Sequence, residues 1–368
     1  MVLEFDVIVV GGGVVGASIT FQLSKSGKKV LMLERGEIGG QASSAASGTL
    51  DSHFPELGRD FMEESMNTFL HVADEIENLT GIDVEVEKSG ELVLSFDEQS
   101  SEEFFHMNEK CRDMCCGSEW LTTSQIHNLE PEVSDNVLGA IYRPNTSRVN
   151  NQRLSEAFSR ASTFYNSSVE IGSEVIGIDN SDRETVKVTT RSGIFYSSKL
   201  IIAAGAWTPS LLTNLKVDIP VRPIKGQNLN LSPDFQKVQT VVKGNSGVIV
   251  PRNDGSVMAG VTQEDKGFDN RVTVDGIKSI MNEITSIMPA LGNATFNWAI
   301  SGSRPAASDG LPIIDFIPDS DRIIVAAGHY MWGIFLSPIT GVIVNKMLDT
   351  GNNPMIDVLG LNRGTLTK

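Results

Sequence analysis

The chain is poor in basic residues and has no long apolar run. Lysine and arginine together number 30 against 46 aspartates and glutamates, which gives a formal net charge of −16. A protein that grips nucleic acid through phosphate contacts needs a basic surface, so the composition argues against nucleic acid as a partner. The apolar stretch near the N-terminus is broken at Gly11, too early to cross a bilayer, so we expect no membrane span.

Cysteine is also scarce, occurring only as Cys111, Cys115 and Cys116. So few thiols fit a reducing compartment better than a disulfide framework, and we therefore predict a cytoplasmic protein. His106 lies close to the cysteines in sequence, but the spacing matches no common zinc pattern. We predict that the protein holds no metal.

Glycine, by contrast, is abundant at the N-terminal end, where Gly11, Gly13 and Gly16 form a G-x-G-x-x-G motif. The apolar segment FDVIVV precedes it, helical periodicity follows it, and a second strand-like segment closes at Glu34. In such a unit the glycines permit a tight turn, a close approach of pyrophosphate and close helix–strand packing, while the acid accepts hydrogen bonds from ribose. The pattern predicts a dinucleotide site and leaves the dinucleotide open.

The stretch after Glu34 reads GEIGGQASSAASGTL, residues 36–50, and carries few large side chains. A backbone so bare is able to lie against a large flat ligand such as FAD. A flexible loop explains this stretch equally well when it is taken alone.

The length of 368 residues predicts two domains. Glycine-rich strand ends return near positions 205 and 328, and hairpins are predicted at 192–193 and 254–255. We predict an α/β (α+β, two-domain) fold: a discontinuous Rossmann-type domain for the dinucleotide, and a second, substrate-binding domain with a mainly antiparallel β-sheet. The first is placed at residues 1–80, 145–220 and 300–368, and the second at 81–144 and 221–299.

Several segments together resemble the D-amino-acid-oxidase-like (DAO) family of flavoproteins, within it the glycine oxidase and sarcosine oxidase-like branch. They are the glycine motif with Glu34, GGQASSAASG, IIAAGAW, VIVPRNDG, SRPAASDGLPIID and AAGHYMWGIFLSPITG, in the family's order over nearly the whole chain. The resemblance implies an enzyme that uses FAD to oxidise the C–N bond of a small amino acid or secondary amine, of the glycine, sarcosine, proline or D-amino-acid class. Hydride passes to flavin N5, the imine hydrolyses to an oxo acid and an amine, and electrons continue to O2 or a redox partner.

The resemblance also implies a set of FAD contacts along the chain. They are Gly11, Gly13, Val14, Val15, Gly16, Glu34, Arg35, Ala42, Ser43, Ser44, Ser47, Gly48, Thr49, Val175, Ala204, Gly205, Trp207, His329, Tyr330, Met331, Trp332, Gly333, Ile334 and Phe335. Family members with covalent flavin use a histidine soon after the second strand or a late cysteine. This chain has Ser43 and Ser44 in the first region and no cysteine after Cys116, so non-covalent FAD is expected. The helix from Gly333 is expected to aim its positive end at the flavin.

For the substrate, Arg304 matches the family arginine that grips the carboxylate, a task that suits the planar guanidinium fork. Lys225 is a further candidate near the site. Catalytic roles are predicted for Arg304, His329 and Met331, and substrate contacts for Arg304, Val248, Gln263, Met331 and His53.

Two positions depart from the glycine oxidase pattern, which has a tyrosine in place of Val248 and an arginine in place of Met331. Both departures make the pocket more apolar, so we predict a hydrophobic or N-substituted amino acid, such as proline or an N-alkyl glycine, rather than glycine. An NAD-dependent dehydrogenase is disfavoured because the sequence shows no nicotinamide catalytic pair. The alternative is a flavin-carrying subunit of an amino-acid dehydrogenase complex, of the proline dehydrogenase, opine oxidase or hydrogen cyanide synthase type. A homo-oligomer or a hetero-complex is compatible with either.

Overall fold

A computed structural model describes residues 4–50, 55–111, 117–244 and 246–364 of the chain. The helices are α1 Val14–Lys25, α2 Arg59–Thr80, α3 Glu98–Cys111, α4 Thr123–Leu129, α5 Asn151–Ser162, α6 Thr208–Leu212, α7 Val274–Ile287, α8 Gly333–Thr350 and α9 Ile356–Leu359. The strands are β1 Phe5–Val10, β2 Val30–Leu33, β3 Thr49–Leu50, β4 Glu87–Lys88, β5 Glu91–Ser95, β6 Glu119–Leu121, β7 Gly139–Arg143, β8 Ser147–Arg148, β9 Ser167–Glu170, β10 Val175–Asp179, β11 Val186–Thr190, β12 Ile194–Ile202, β13 Val221–Ser232, β14 Val241–Gly244, β15 Gly247–Pro251, β16 Val257–Gly260, β17 Thr295–Ala307, β18 Ile313–Phe316 and β19 Ile323–Ala327.

The first sheet has a parallel centre buried on both faces. Its strand order is β10–β11–β12–β1–β2–β9, and β19 pairs in parallel with the C-terminal part of β12. Val7 and Val9 of β1 join one hydrophobic cluster with α1, α2, α5 and α8, whereas Ile8 and Val10 join a second cluster on the other face. Burial on both sides explains why residues 7–10, VIVV, are continuously apolar rather than alternating.

The second sheet is mainly antiparallel, with the order β17–β13–β16–β15–β14–β5–β7–β6 and one parallel pair, β14 with β5. Helix α7 covers one face through Ile280, Ile284 and Ile287. The opposite face carries Val248 and Arg304 and borders the first domain. The predicted α/β architecture of two domains is therefore what the chain adopts.

The long ribbon of β13 and β17 joins the two domains. The two strands pair without interruption from Val221 opposite Ala307 to Asn230 opposite Trp298, and one irregularity follows. Val221 and Ala307 belong to the core of the first sheet, while Leu229 belongs to the core of the second. Strand β17 thus crosses position 300, where the sequence pattern placed a domain boundary.

Local signals account for most elements. Thr122 and Gln125 form the predicted capping box at the start of α4, with Thr122 N donating to Gln125 Oε1 over 2.9 Å. The strand predicted over 169–179 is interrupted: β9 and β10 flank a turn at Gly172, whose φ is +70°. Among the described helices, none combines the length and the apolar composition that a bilayer crossing requires.

Helix α8 contains a proline that the sequence pattern did not mark as disruptive. Pro338 has no N–H to donate to the carbonyl of Ile334, one turn earlier. The hydroxyl of Ser337 donates to that carbonyl instead, over 2.9 Å. The helix therefore continues to Thr350 and ends at Gly351, whose φ is +72°.

The contact between α1 and α8 predicts a stability effect at Gly341. A Cβ atom there would lie 2.7 Å from Gln22 Cγ and 3.1 Å from the carbonyl oxygen of Ser18. We expect Gly341→Val to lower the free energy of unfolding by about 1–3 kcal/mol through overpacking. Urea denaturation measures this, with Lys346→Ala on the exposed side of α8 as the control. Equal stability of the two variants would contradict the packing described.

Candidate active site

A cavity of about 1760 Å³ lies between the two domains and is lined by residues of both. Most of the predicted FAD contacts line it: Gly11, Gly13, Val14, Val15, Glu34, Arg35, Ala42, Ser43, Ser47, Gly48, Thr49, Val175, Ala204, Gly205, Trp207 and the run from His329 to Phe335. The predicted substrate contacts Arg304, Val248, Gln263 and Met331 line it too. Gly16 and Ser44 do not line it, and His53 lies outside the described residues.

The glycine motif forms a floor of bare backbone under the cavity. The backbone at Gly11 and Gly16 packs so closely on neighbouring carbonyls that side chains would not fit there. Gly11 has φ +109°, and a Cβ there would overlap the carbonyl of Ala203. A Cβ on Gly16 would overlap the carbonyl of Gly11, so Gly16 serves the close approach of α1 to β1 rather than the ligand. The first turn of α1 thereby presents N–H groups and its positive end to the cavity.

Glu34 follows β2 and faces the same floor. Its Oε2 accepts a hydrogen bond from Gly12 N over 2.6 Å, and its Oε1 accepts one from Gly36 N over 2.7 Å. These bonds fix a carboxylate at the edge of the cavity, where its remaining lone pairs suit ribose hydroxyl groups. A bare floor with a carboxylate at its edge fits the adenosine and pyrophosphate half of a dinucleotide.

The small-residue segment 36–50 is held in place from outside by polar side chains. Asn151 donates to the carbonyls of Ser43 and Ser44. Arg252 donates to the carbonyl of Ser47 over 3.0 Å and to that of Val149 over 2.9 Å. This segment is therefore an ordered wall rather than a flexible loop.

Arg252 keeps its charge in this buried position. Burial, followed by the nearby charge of Arg148, lowers the pKa of Arg252 to about 10. The guanidinium is therefore still protonated at neutral pH, and its bonds to Ser47 and Val149 are charge-assisted.

Two further contacts shape the cofactor half of the cavity. Ser43 Oγ accepts a hydrogen bond from Val14 N over 3.0 Å, which leaves its hydroxyl proton available to an anionic ligand. The Arg35 guanidinium lies 3.8 Å from the ring centre of Trp207, and Phe268 stacks on Trp207 with ring centres 4.9 Å apart. Cation–π and stacking contacts thus orient Arg35 at the cavity wall.

The turn before α8 brings the C-terminal part of the chain to the same cavity. Tyr330 has φ +46°, and its N–H donates to the carbonyl of Pro305 over 2.8 Å, which ties the turn to β17. Gly333, Ile334 and Phe335 line the cavity at the N-terminus of α8. The positive end of that helix therefore faces the cavity, and its approach to the flavin stays a prediction.

His329 is fully enclosed beneath this turn. Thr340 Oγ1 donates to the carbonyl of Leu336, so His329 Nε2, at 3.1 Å, must be the donor to Thr340. Burial lowers the pKa of His329 to about 4, so the imidazole is neutral at neutral pH. The hydrogen bond to Thr340 attaches the turn that contains His329 to α8. The catalytic role of His329 stays a prediction.

Arg304 stands on β17 on the face of the sheet that borders the first domain. It pairs with Ile224, and its guanidinium occupies the space over Gly226, where a Cβ would overlap it. Arg304 Nη1 donates to the carbonyl of Thr262 over 3.2 Å. Burial lowers the pKa of this arginine, but a guanidinium remains charged in proteins.

The sheet face that carries Arg304 also carries a small apolar patch, of which Val248 lines the cavity. Val248 and Ile300 pack on a small cluster formed by Val241, Val250 and Met258. Across the cleft, Gln263 Nε2 lies 4.0 Å from Met331 Sδ, and more than half of the Met331 side chain is exposed. Gln263 and Met331 therefore face each other from opposite domains.

Lys225 also lines the cavity, although its side chain is only 1% exposed. Its Nζ lies 3.7 Å from Glu264 Oε2. Among the described residues no cluster of three potential metal ligands occurs. Cys115 and Cys116 lie outside the described residues, and the side chain of Cys111 is likewise not described.

Sequence reasoning missed the residues that act across long separations. Gly226 and Gly302 lie in strand interiors, and their strand context is a usable signal for close approach of a ligand or another backbone. Arg252, Asn151 and Thr262 carry no such signal, because their burial and their partners depend on the tertiary fold.

Comparison with known proteins bears directly on this cavity. The family model described as "FAD dependent oxidoreductase" (DAO) matches residues 6–347. The chain is 30% identical to glycine oxidase of Bacillus licheniformis over 94% of this chain and 93% of that protein. It is 31% identical to glycine oxidase of Geobacillus kaustophilus over 95% of this chain and 94% of that protein. The crystal structure of the Geobacillus glycine oxidase is similar with a TM-score of 0.93, over 98% of both chains.

The buried clamp at Arg252 predicts a loss of cofactor affinity. Arg252→Met removes the bonds to Ser47 and Val149, and we expect the Kd for FAD to rise by about tenfold or more, the cost of a charged hydrogen bond. Flavin fluorescence titration of the apoprotein measures this. Arg160→Met, on the exposed side of α5, is the control. An unchanged Kd in a folded Arg252→Met protein would refute the clamp.

Proposed function

Because this chain belongs to the family of FAD-dependent oxidoreductases, we propose that it oxidises the C–N bond of a small amino acid or secondary amine held beside FAD. The observation that carries the proposal is the cationic Arg304 in a cavity whose other half fits a dinucleotide. The experiment that tests it is anaerobic titration of the FAD-loaded protein with amino acids, followed by flavin absorbance. If none of glycine, sarcosine, proline and the D-amino acids bleached the flavin, the proposal would fail, and the alternative of an inert flavin-carrying subunit would be favoured.

The cofactor supplies one part of the chemistry: FAD, when bound, accepts the hydride that leaves the carbon next to nitrogen. The chain supplies orientation. Arg304 binds the substrate carboxylate with its planar fork and so fixes the direction of the C–H bond. Gly11, Gly13, Glu34 and Ser43 would hold the adenosine and pyrophosphate half of the cofactor by the contacts described.

Charge is the second contribution of the chain. The cation of Arg304 and the positive end of α8 both lower the pKa of an ammonium group bound nearby. The neutral amine, from which hydride leaves readily, is thereby favoured. Hydrolysis of the resulting imine gives an oxo acid and an amine and needs only water.

For the substrate we propose a hydrophobic or N-substituted amino acid, such as proline or an N-alkyl glycine. The support is Val248 in the cavity lining, with an apolar patch behind it, and the uncharged pair of Met331 and Gln263. An apolar wall binds a methylene or methyl group that glycine lacks, at a gain of about 1 kcal/mol for each buried methylene.

We further propose that FAD is held non-covalently, that O2 or a redox partner takes the electrons, and that the protein works in the cytoplasm, alone, as a homo-oligomer or in a hetero-complex. The serines at positions 43 and 44 support the first point, and the scarcity of cysteine supports the location. Gel filtration with light scattering decides the assembly, and turnover with oxygen against an artificial dye decides the acceptor.

The role proposed for Arg304 predicts a selective defect. We expect Arg304→Met to lower kcat/KM by about a hundredfold or more, the cost of removing one partner of a charge pair. Arg304→Lys keeps the charge but lacks the planar fork, so its kcat/KM is expected to lie between those of the wild type and Arg304→Met. Stopped-flow reduction gives the rates, and flavin titration should give an unchanged Kd for FAD. A variant with more than about half of the wild-type kcat/KM would exclude Arg304 from substrate binding.

The apolar wall predicts substrate preference. The wild-type protein should show a higher kcat/KM on sarcosine and proline than on glycine. The double change Val248→Tyr with Met331→Arg should move the ratio toward glycine by about tenfold, because pocket polarity then matches a bare amino acid. Steady-state kinetics on the three substrates checks both statements. Wild-type turnover on glycine about tenfold above that on the other two would show the selectivity proposal to be wrong.

A further inference from the structure

One segment of the second domain borders the cavity and joins β16 to α7. We call Thr262–Thr273 the rim segment. Its residues Thr262, Gln263 and Glu264 line the cavity beside Arg304. Its other end is attached to the sheet, because Thr273 N donates to Gln227 Oε1 over 2.8 Å.

Thr262 is the direct link between the rim segment and Arg304. Its carbonyl accepts from Arg304 Nη1 over 3.2 Å. Beneath the guanidinium lies Gly226, which offers no side chain for packing. The orientation of the guanidinium fork therefore depends on where the Thr262 carbonyl is placed.

Glu264 fixes Thr262 by a closed set of hydrogen bonds. Glu264 Oε1 accepts from Thr262 Oγ1 over 2.7 Å and from Gln227 Nε2 over 2.7 Å. Thr262 Oγ1 in turn accepts from Gln227 N over 3.0 Å. Each member of the set holds another, so Thr262 has little rotational freedom.

Lys225 supplies the opposing charge from within the sheet. Its backbone exchanges two hydrogen bonds with Glu264, of 2.9 and 3.0 Å, and its enclosed Nζ lies 3.7 Å from Glu264 Oε2. Burial works against ionisation of Glu264, but the bonds from Gln227 and Thr262 and the charge of Lys225 outweigh it and lower its pKa. Glu264 is therefore an anion at neutral pH and lies next to the buried Lys225, whose charge also acts on Asp269.

We propose that Glu264, anchored by Lys225 and Gln227, is a positioning residue that sets the orientation of Arg304 for a substrate carboxylate. The proposal rests on the proposed function, because that function gives the carboxylate to Arg304. It adds that an ion pair behind the cavity wall controls how well the guanidinium fork meets its ligand.

The test uses the FAD-loaded full chain and propionate. Propionate has a carboxylate for Arg304 but no C–N bond, so its binding is measured without turnover. Lys225→Met with Glu264→Ala removes both charges together, so no buried charge is left behind. We expect the Kd of propionate, followed by the change in flavin absorbance, to rise by about tenfold, the equivalent of one charge-assisted hydrogen bond. The Kd for FAD should not change. If the Kd of propionate stayed within about twofold of wild type, the proposal would be overturned.

A gentler variant covers the case in which the double change prevents folding. Thr262→Val keeps the shape of the side chain and removes only the hydroxyl that links Gln227 and Glu264. We expect a rise of about threefold or more in the Kd of propionate. An unchanged Kd in this folded variant would also overturn the proposal.

The chain offers a matched control close by, three residues from Lys225 on β13 and one residue from Glu264 on the rim segment. Arg222 and Asp265 form an exposed ion pair between the same strand and the same rim segment. Arg222→Met with Asp265→Ala should leave the Kd of propionate unchanged. If this control raised the Kd of propionate as much as Lys225→Met with Glu264→Ala does, either ion pair would serve equally to hold the rim segment. That result would overturn the specific role of Glu264.

The last arm asks whether Glu264 acts through Arg304. In an Arg304→Lys background, Lys225→Met with Glu264→Ala should alter the Kd of propionate by less than about twofold. The guanidinium fork that Glu264 is proposed to orient is absent from that background. A full effect there would refute the positioning role. Turnover is scored separately: a rise in KM with kcat held within about threefold is expected. Failure of every amino acid to reduce the flavin would sink the proposed function while the propionate measurement still decides this inference.

Discussion

Main-chain contact at two glycines sets the geometry of the whole site. Gly11 lies against the carbonyl of Ala203, and Gly16 lies against the carbonyl of Gly11, so β1, β12 and α1 meet without intervening side chains. This contact brings the first turn of α1 up to the cavity and places Glu34, at the end of the neighbouring strand, beside it. A side chain at either glycine would separate the helix from the sheet, and every contact further along the cavity would shift with it.

The two domains are coupled because side chains and backbone of each domain bond to the cavity lining of the other. Asn228 of β13 donates to the carbonyl of Ala45 over 2.6 Å, and Arg252 of the second domain holds Ser47 of the first. In return the turn at Tyr330 is bonded to Pro305, next to Arg304. A change in the separation of the domains would therefore disturb the wall formed by residues 36–50 and the position of Arg304 together.

Local pattern was enough for the parts of the site whose physics is local. The strand, glycine motif, helix and acid of residues 5–34 lie along one short stretch, and each places the next, so this unit and the bare cavity floor that it forms were predictable. The apposition of Glu264 with Lys225 depends on the register of β13 and on the path of the rim segment, neither of which leaves a periodic signal. The same holds for Arg252, since nothing in VIVPRNDG shows that its arginine turns inward.

The role proposed for Arg304 would give a physical reason for selectivity toward acids over simple amines. Among the residues that the structure describes, no carboxylate is paired with its guanidinium, and Arg304 Nη1 donates to the neutral carbonyl of Thr262. A cation that is partly withdrawn from water and lacks a counter-charge raises the free energy of the protein. A bound carboxylate relieves that cost, whereas an amine without one leaves it in place and adds a second positive charge. Under the proposed role of Arg304, the discrimination would therefore arise from the missing counter-charge as much as from the bonds that Arg304 makes to the ligand.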